Sequence, residues 1–196
     1  MTGARIQQLA RDERLARRAG FWWGFAEGVF FFIVPDVYVS FAALFSWRTG
    51  LVAWGASIVG SLTGVLTIYL LVVGLGFDYI RFLDAIPGIP SSMLFRVGAQ
   101  LGANGLPYTP LLIAGGVPLK VYAGTAFFLG FGVFPVLVWT VFARIVRIAP
   151  VYALAATARL LFRRAIDARP ALWLGVLGTV WFVFYVLYFI RMRGSA

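Results

Sequence analysis

The sequence predicts an all-α polytopic membrane protein. Its plan is an inverted repeat of a re-entrant hairpin plus a transmembrane helix, with an extra transmembrane helix at the C-terminus. Three observations predict it. The chain has 196 residues, of which 62% are hydrophobic and 12% charged, with a mean hydropathy of +0.91, well outside the soluble globular range. Its charges stand in short blocks between five apolar runs. Two of those runs carry breakers or charge near their middles, and three read as continuous.

The charge balance is +10, from 17 basic and 7 acidic residues. Because the basic residues flank apolar runs, they read as membrane-flanking charge and not as a nucleic-acid patch. There is no cysteine and no histidine, which excludes disulfides, metal sites built on those residues, and histidine acid–base chemistry. No cofactor and no metal is expected.

Residues 1–19 form a basic cytoplasmic segment without a cleavage site after the next apolar run, so it reads as retained and not as a signal peptide. Ile6, Leu9, Ala10 and Leu15 recur at near-helical spacing. They suit an amphipathic helix on the membrane surface or a solvated basic tail.

Residues 20–147 form the membrane core. The first run, 21–45, contains Glu27, Pro35 and Asp36 and is expected to be re-entrant. The run 49–77 has the roughly 20 apolar residues a span needs. Residues 78–96 alternate charge with bulky apolar groups and suit a surface helix. The run 97–119 holds Pro107 and Pro110 among several glycines and is expected to be the second re-entrant segment. Residues 121–143 are expected to span. Residues 148–196 add a basic interfacial helix and a C-terminal span over 170–190.

Short connections argue for the hairpins. Only Ser46, Trp47 and Arg48 separate the first run from the second, and only Lys120 separates the third from the fourth. A broken segment that returns to its side of entry and hands over to a full span satisfies both the breaks and the connections. Non-helical backbone at membrane depth must be covered by protein or line a cavity, so the two hairpins are expected to meet. A shift of 72 residues superimposes Pro35 on Pro107, Ala42 on Ala114, Ala43 on Gly115, Arg48 on Lys120 and Gly60 on Gly132, the inverted-repeat plan of many transporters. The positive-inside rule puts the N-terminus in the cytoplasm whether the broken runs return or span.

Glu27 and Asp36 are the candidate transport or proton sites. Nine residues apart at about 100° each, they would lie on opposite faces of one helix, and the break at Pro35 frees them to converge. Ionisable groups at membrane depth mark solute or proton pathways. Two plainer readings stand beside this: Glu27 paired with Arg17 or Arg18 at the interface, and Asp36 as the N-cap of a second half-helix. Gly60 and Gly64 form a GxxxG motif that, with Ala53 and Ser57, suits close helix packing. Nucleotide-binding loops and nucleophile–base pairs are missing, so an enzyme is not expected.

The stretches "AEGVFFFIVPDVYVSFAAL" and "GLPYTPLLIAGGVPLKVYAGTAFF", with the glycine-bearing helix between them, resemble the DedA superfamily, also called VTT-domain proteins, and most of all its short YqaA-like branch. The resemblance covers roughly residues 20–147. It implies opposed re-entrant hairpins, with Glu27 and Asp36 as the embedded acids. The implied activity is movement of lipids or lipid-linked phosphates between leaflets of the bacterial cytoplasmic membrane, coupled to protons. Its partners would be membrane lipids, and a core of half-transporter size suits a homodimer. The second hairpin departs from the family pattern Arg-Phe-x-Pro-x-x-Arg, because Asn104 and Pro110 stand where the arginines would be. Arg96 and Lys120 are candidate anion contacts only if they reach inward. The alternatives are a small-solute or ion exporter on the same scaffold and a membrane-organising protein that transports nothing.

Overall fold

The structure is a computed structural model that describes residues 3–107 and 116–193, and all regular structure among them is helical. In order, the helices are α1 (Gly3–Ala10), α2 (Glu13–Val29), α3 (Asp36–Phe45), α4 (Trp47–Tyr69, continued by a π turn over Leu70–Gly74), α5 (Tyr79–Asp84), α6 (Ser91–Asn104), α7 (Leu119–Phe128), α8 (Val133–Leu161), α9 (Arg163–Ala168) and α10 (Pro170–Arg193). Three stretches are long and apolar enough to cross a membrane: Trp47–Gly74, Val133–Leu161 and Pro170–Ile190. The chain is therefore built as a helical membrane protein.

The first apolar run is broken. α2 stops at Val29 and the chain resumes as α3 at Asp36, because Pro35 lacks an N–H and disfavours helix in the residue before it. Trp23 Nε1 donates to Ile33 O at 2.9 Å and its ring stacks on Tyr38, centroids 5.9 Å apart, so the intervening loop is clipped back onto α2. Ser46 then caps α4, accepting from Thr49 N, and Gly50 lies against Ala43.

α2 and α4 run parallel with their backbones in contact. Gly20 faces Ala53, Gly24 faces Ser57, and Gly28 faces Ser61 and Gly64, so the numbers rise together. A Cβ at Gly60 would collide with Phe21 O, and one at Gly24 would collide with Ser57 O. Only glycine permits this approach, and Gly60 and Gly64 lie within that seam. Such small-residue seams give dispersion contact and interhelical hydrogen bonds where apolar burial gives little driving force. Ser61 Oγ supplies one of those bonds, donating to Gly24 O at 3.3 Å.

α8 runs antiparallel to α4. Tyr152 O–H donates to Trp47 O at 3.1 Å, while Val136 and Ala143 share a core with Val65 and Ile68. α10 runs antiparallel to α3: Trp173 packs near Leu44 and Phe45, Trp181 Nε1 donates to Ser40 Oγ at 2.9 Å, and Tyr185 reaches Val34. α6 and α7 are also antiparallel, with Gly98 against Thr125 and Tyr122 O–H donating to Gln100 Oε1 at 3.3 Å.

Several boundaries differ from the sequence reading. The run 121–143 is not one helix: α7 ends at Phe128, and the chain turns through Leu129–Gly132, where Gly130 takes φ +81°, a left-handed conformation that favours glycine. The spanning helix is α8, which also absorbs most of the segment assigned to an interfacial helix from residue 148. Gly60 lies mid-helix whereas Gly132 is the residue before α8, so that pair of the 72-residue match differs in structure. The surface segment 78–96 is two helices, and α6 continues to Asn104, inside the run assigned to the second hairpin. Residues 13–19 are the opening turns of α2, not part of a separate segment; Asp12 caps them, accepting from Arg14 N and Leu15 N. Pro110, Ala114 and Gly115 lie outside the described residues.

Candidate functional site

The broken end of α2 leaves backbone carbonyls that a continuous helix would have satisfied. Side chains from three other helices meet this break. Lys120 at the start of α7 donates from Nζ to Glu27 O at 3.1 Å and Phe31 O at 2.8 Å. Tyr79 at the start of α5 donates from its hydroxyl to Val29 O. On the other strand of the break, Val34 N–H donates to the Tyr185 hydroxyl of α10 at 2.8 Å. Unsatisfied carbonyls at membrane depth cost several kcal/mol each, so these contacts stabilise the break.

Both candidate acids are buried at this break. Glu27, in the last turn of α2, is 1% exposed, and Arg144 Nη2 of α8, itself 1% exposed, donates to its Oε2. Asp36, the first residue of α3, is 3% exposed, and Arg147 Nε lies 3.7 Å from its Oδ2. Arg144 and Arg147 are one turn apart, so one face of α8 presents a cation to each acid. Lys120 is fully buried beside them. Each carboxylate therefore faces a guanidinium of α8, while the Lys120 amine is turned to backbone carbonyls of the same break.

The plainer readings of both acids are corrected by this geometry. Glu27 does not pair with Arg17 or Arg18; its partner comes from α8, more than a hundred residues later in the sequence. Asp36 is not the N-cap, because Pro35 holds that position and no side chain caps the helix. Arg96 is exposed and donates to Ser92 O of its own helix at 3.3 Å, so it does not join the cluster. Lys120 does reach inward, toward carbonyl oxygens. Pro35 lies in the break, and Pro107 accepts from Trp139 Nε1 of α8 at 2.8 Å through its carbonyl.

A cavity of about 550 Å³ adjoins the cluster between α3, α8 and α10, within the size range of small-molecule sites. Asp36, Ser40 and Arg147 form its polar corner, and Gly116 contributes from the segment before α7. Val151, Leu154, Val176 and Val180 are among its apolar walls. Several polar atoms of the cluster have no hydrogen-bond partner among the described residues: Glu27 Oε1, Asp36 Oδ2, and Nε and Nη1 of Arg144. Such atoms cost free energy unless something polar visits them. The described residues contain no group of three or more His, Cys, Asp or Glu side chains that could hold a metal ion.

No family model, curated protein or solved structure matches this chain.

Arg144 and Arg147 are the site residues that sequence reasoning misses. By sequence alone, both look like charges flanking the end of a span. The signal that could have found them is the apolar sequence on both sides: Trp139 to Ala143 before them and Ile148 to Ala156, broken by no further charge, after them. Charges inside an apolar stretch at i, i+3 are those that need buried partners.

Proposed function

We propose that this chain is a transporter-like membrane protein that moves lipids or lipid-linked phosphates between leaflets, with proton coupling through Glu27 and Asp36. One observation carries the reading: two acid–arginine pairs, one of them fully buried, sit where a helix breaks, beside a cavity with a polar corner and apolar walls. A purely structural ion pair needs no cavity, and a small-solute site needs no long apolar wall. An amphiphile uses both, with its headgroup toward Arg147 and its chain along α8 and α10. Arg147 at the polar corner suits an anionic head, because a guanidinium fork can bind two phosphate oxygens. α8 thus supplies cations where Asn104 and Pro110 replace the arginines of the family pattern.

In this reading the segments 21–45 and 97–119 are opposed re-entrant hairpins, entering from opposite membrane faces in the DedA manner. What supports it is the reversal between α2 and α3, the reversal between α6 and α7, and Lys120 at the end of the second segment bonded to the break of the first. The N-terminus, which carries five arginines, faces the cytoplasm of a bacterial inner membrane. The chain carries out no covalent chemistry.

The test is leaflet exchange of a fluorescent phospholipid and of a lipid-linked phosphate in proteoliposomes, over external pH 6 to 9. Exchange by the wild type that falls sharply in Asp36→Asn and Arg147→Gln is the expected result. Full exchange by a Glu27→Gln, Asp36→Asn double variant at normal expression would sink the proton-coupled mechanism. Solute flux without lipid exchange would replace it with an exporter.

A further inference from the structure

We propose that the groove between α2 and α4 binds one anionic phospholipid, its phosphate held by Arg17 and Arg18 and an acyl chain laid along Val52, Ala56 and Val59. The groove has a volume of about 490 Å³ and shares no lining residue with the cavity beside Asp36. It follows from the α2–α4 seam. Gly20 and Gly24 bring the two backbones into contact, and the larger side chains flanking that seam stand apart, leaving a furrow along the bundle surface.

The furrow has one charged end. Arg17 precedes Phe21 by four residues and Arg18 precedes Trp22 by four, so both guanidinium groups lie about a turn nearer the start of α2 than the rings. Gly20 packs on Ala53, which puts the arginines level with the first turns of spanning helix α4, the depth of a phosphate layer. The far end is apolar and open: Trp22 is 63% and Val59 55% exposed. Among the described residues, neither arginine forms an ion pair, whereas Arg144 and Arg147 each face an acid. An occupant must therefore be anionic at one end and apolar along the rest. A phospholipid meets that description, and the site stands independently of the transport reading.

The groove places Trp22 as its own reporter. The full-length protein is reconstituted in phosphatidylcholine bilayers and titrated with a dibrominated phosphatidylglycerol or a dibrominated phosphatidylcholine, and tryptophan quenching is read. The anionic lipid is expected to reach half its quenching at a mole fraction lower by on the order of tenfold. That preference should vanish in an Arg17→Gln, Arg18→Gln variant and in Trp22→Phe. It should persist in an Arg164→Gln, Arg169→Gln variant, which removes equal charge elsewhere, and in excess inorganic phosphate. Coincident curves in the wild type, or a preference that survives either groove variant, would overturn the site. So would equal loss in the Arg164, Arg169 variant, which would mark a diffuse surface potential, or displacement by free phosphate, which would mark an anion site without a lipid.

Discussion

Arg144 of α8 donates to Glu27 of α2 with both side chains 1% exposed. Removing one partner from such a pair leaves a buried charge alone, which costs about 3–5 kcal/mol, whereas replacing both can be nearly neutral. Glu27→Gln and Arg144→Gln should each lower the detergent-solubilised melting temperature sharply. The double variant should recover most of the loss. Additive losses in the double variant would show that the two groups do not act as a pair.

Asp36 should behave differently. Its contact with Arg147 is 3.7 Å, and the Arg147 side chain is 17% exposed, so neutralisation strands little. Since Pro35 holds the cap position, Asn and Ala should be alike, each costing below about 1 kcal/mol, the usual size of an acid's effect at a helix N-terminus. Lipid exchange should nevertheless fall in both. A melting curve for Asp36→Ala well below that of Asp36→Asn would restore the capping role.

The α2–α4 seam predicts a graded glycine series. Gly60→Ala and Gly24→Ala place a methyl against backbone carbonyls, an overpacking cost of about 1–3 kcal/mol or more. A methyl added at Gly55, inside α4, would meet nothing within 4 Å. Gly55→Ala should therefore stabilise by up to about 1 kcal/mol through helix propensity. Thermal unfolding of the three variants side by side measures the contrast, and equal effects would contradict the seam.

At the base of the bundle, Asp167 ties three elements. Arg159 donates to both its carboxylate oxygens, at 2.9 and 3.1 Å, Gln7 of α1 donates to its backbone carbonyl at 3.1 Å, and Arg11 lies 3.9 Å away. The Arg159 hydrogen bonds hold its carboxyl below the usual value of 3.8. A depressed folded value means that the contribution is present above the ordinary carboxylate range and is lost as pH falls through the lowered one. Protease nicking between α1 and α2 should therefore be slow at neutral pH and rise below about pH 4. Asp167→Asn should raise it at neutral pH and flatten the pH dependence.

The break at Pro35 and the burial of two acids beside it were legible because proline, aspartate and glutamate are rare in apolar runs. The close-packed seam was legible in Gly60, Gly64, Ala53 and Ser57. The cations were not, because hydropathy treats any arginine as the edge of a span. Arg144 and Arg147 remain inside α8 only because acids more than a hundred residues earlier neutralise them, and local sequence carries no record of that pairing. The turn at Gly130 is hidden for the opposite reason: a glycine pair in an apolar run reads as packing surface, and whether it turns the chain depends on what α7 meets.

The most apolar part of α10 has no buried residue, and its polar ties run to Ser40, Val34 and Gly88, 141, 151 and 100 residues earlier. The α2–α4 seam joins segments only a few dozen residues apart. During synthesis, α2, α3, α4 and α8 can pack while α10 is still unmade, and Asp36 and Arg147 then lack the third wall of their cavity. The cavity is thus completed only once α10 is made, and a chain stopped before Trp181 would carry every charge of the site yet lack the enclosure that makes it one.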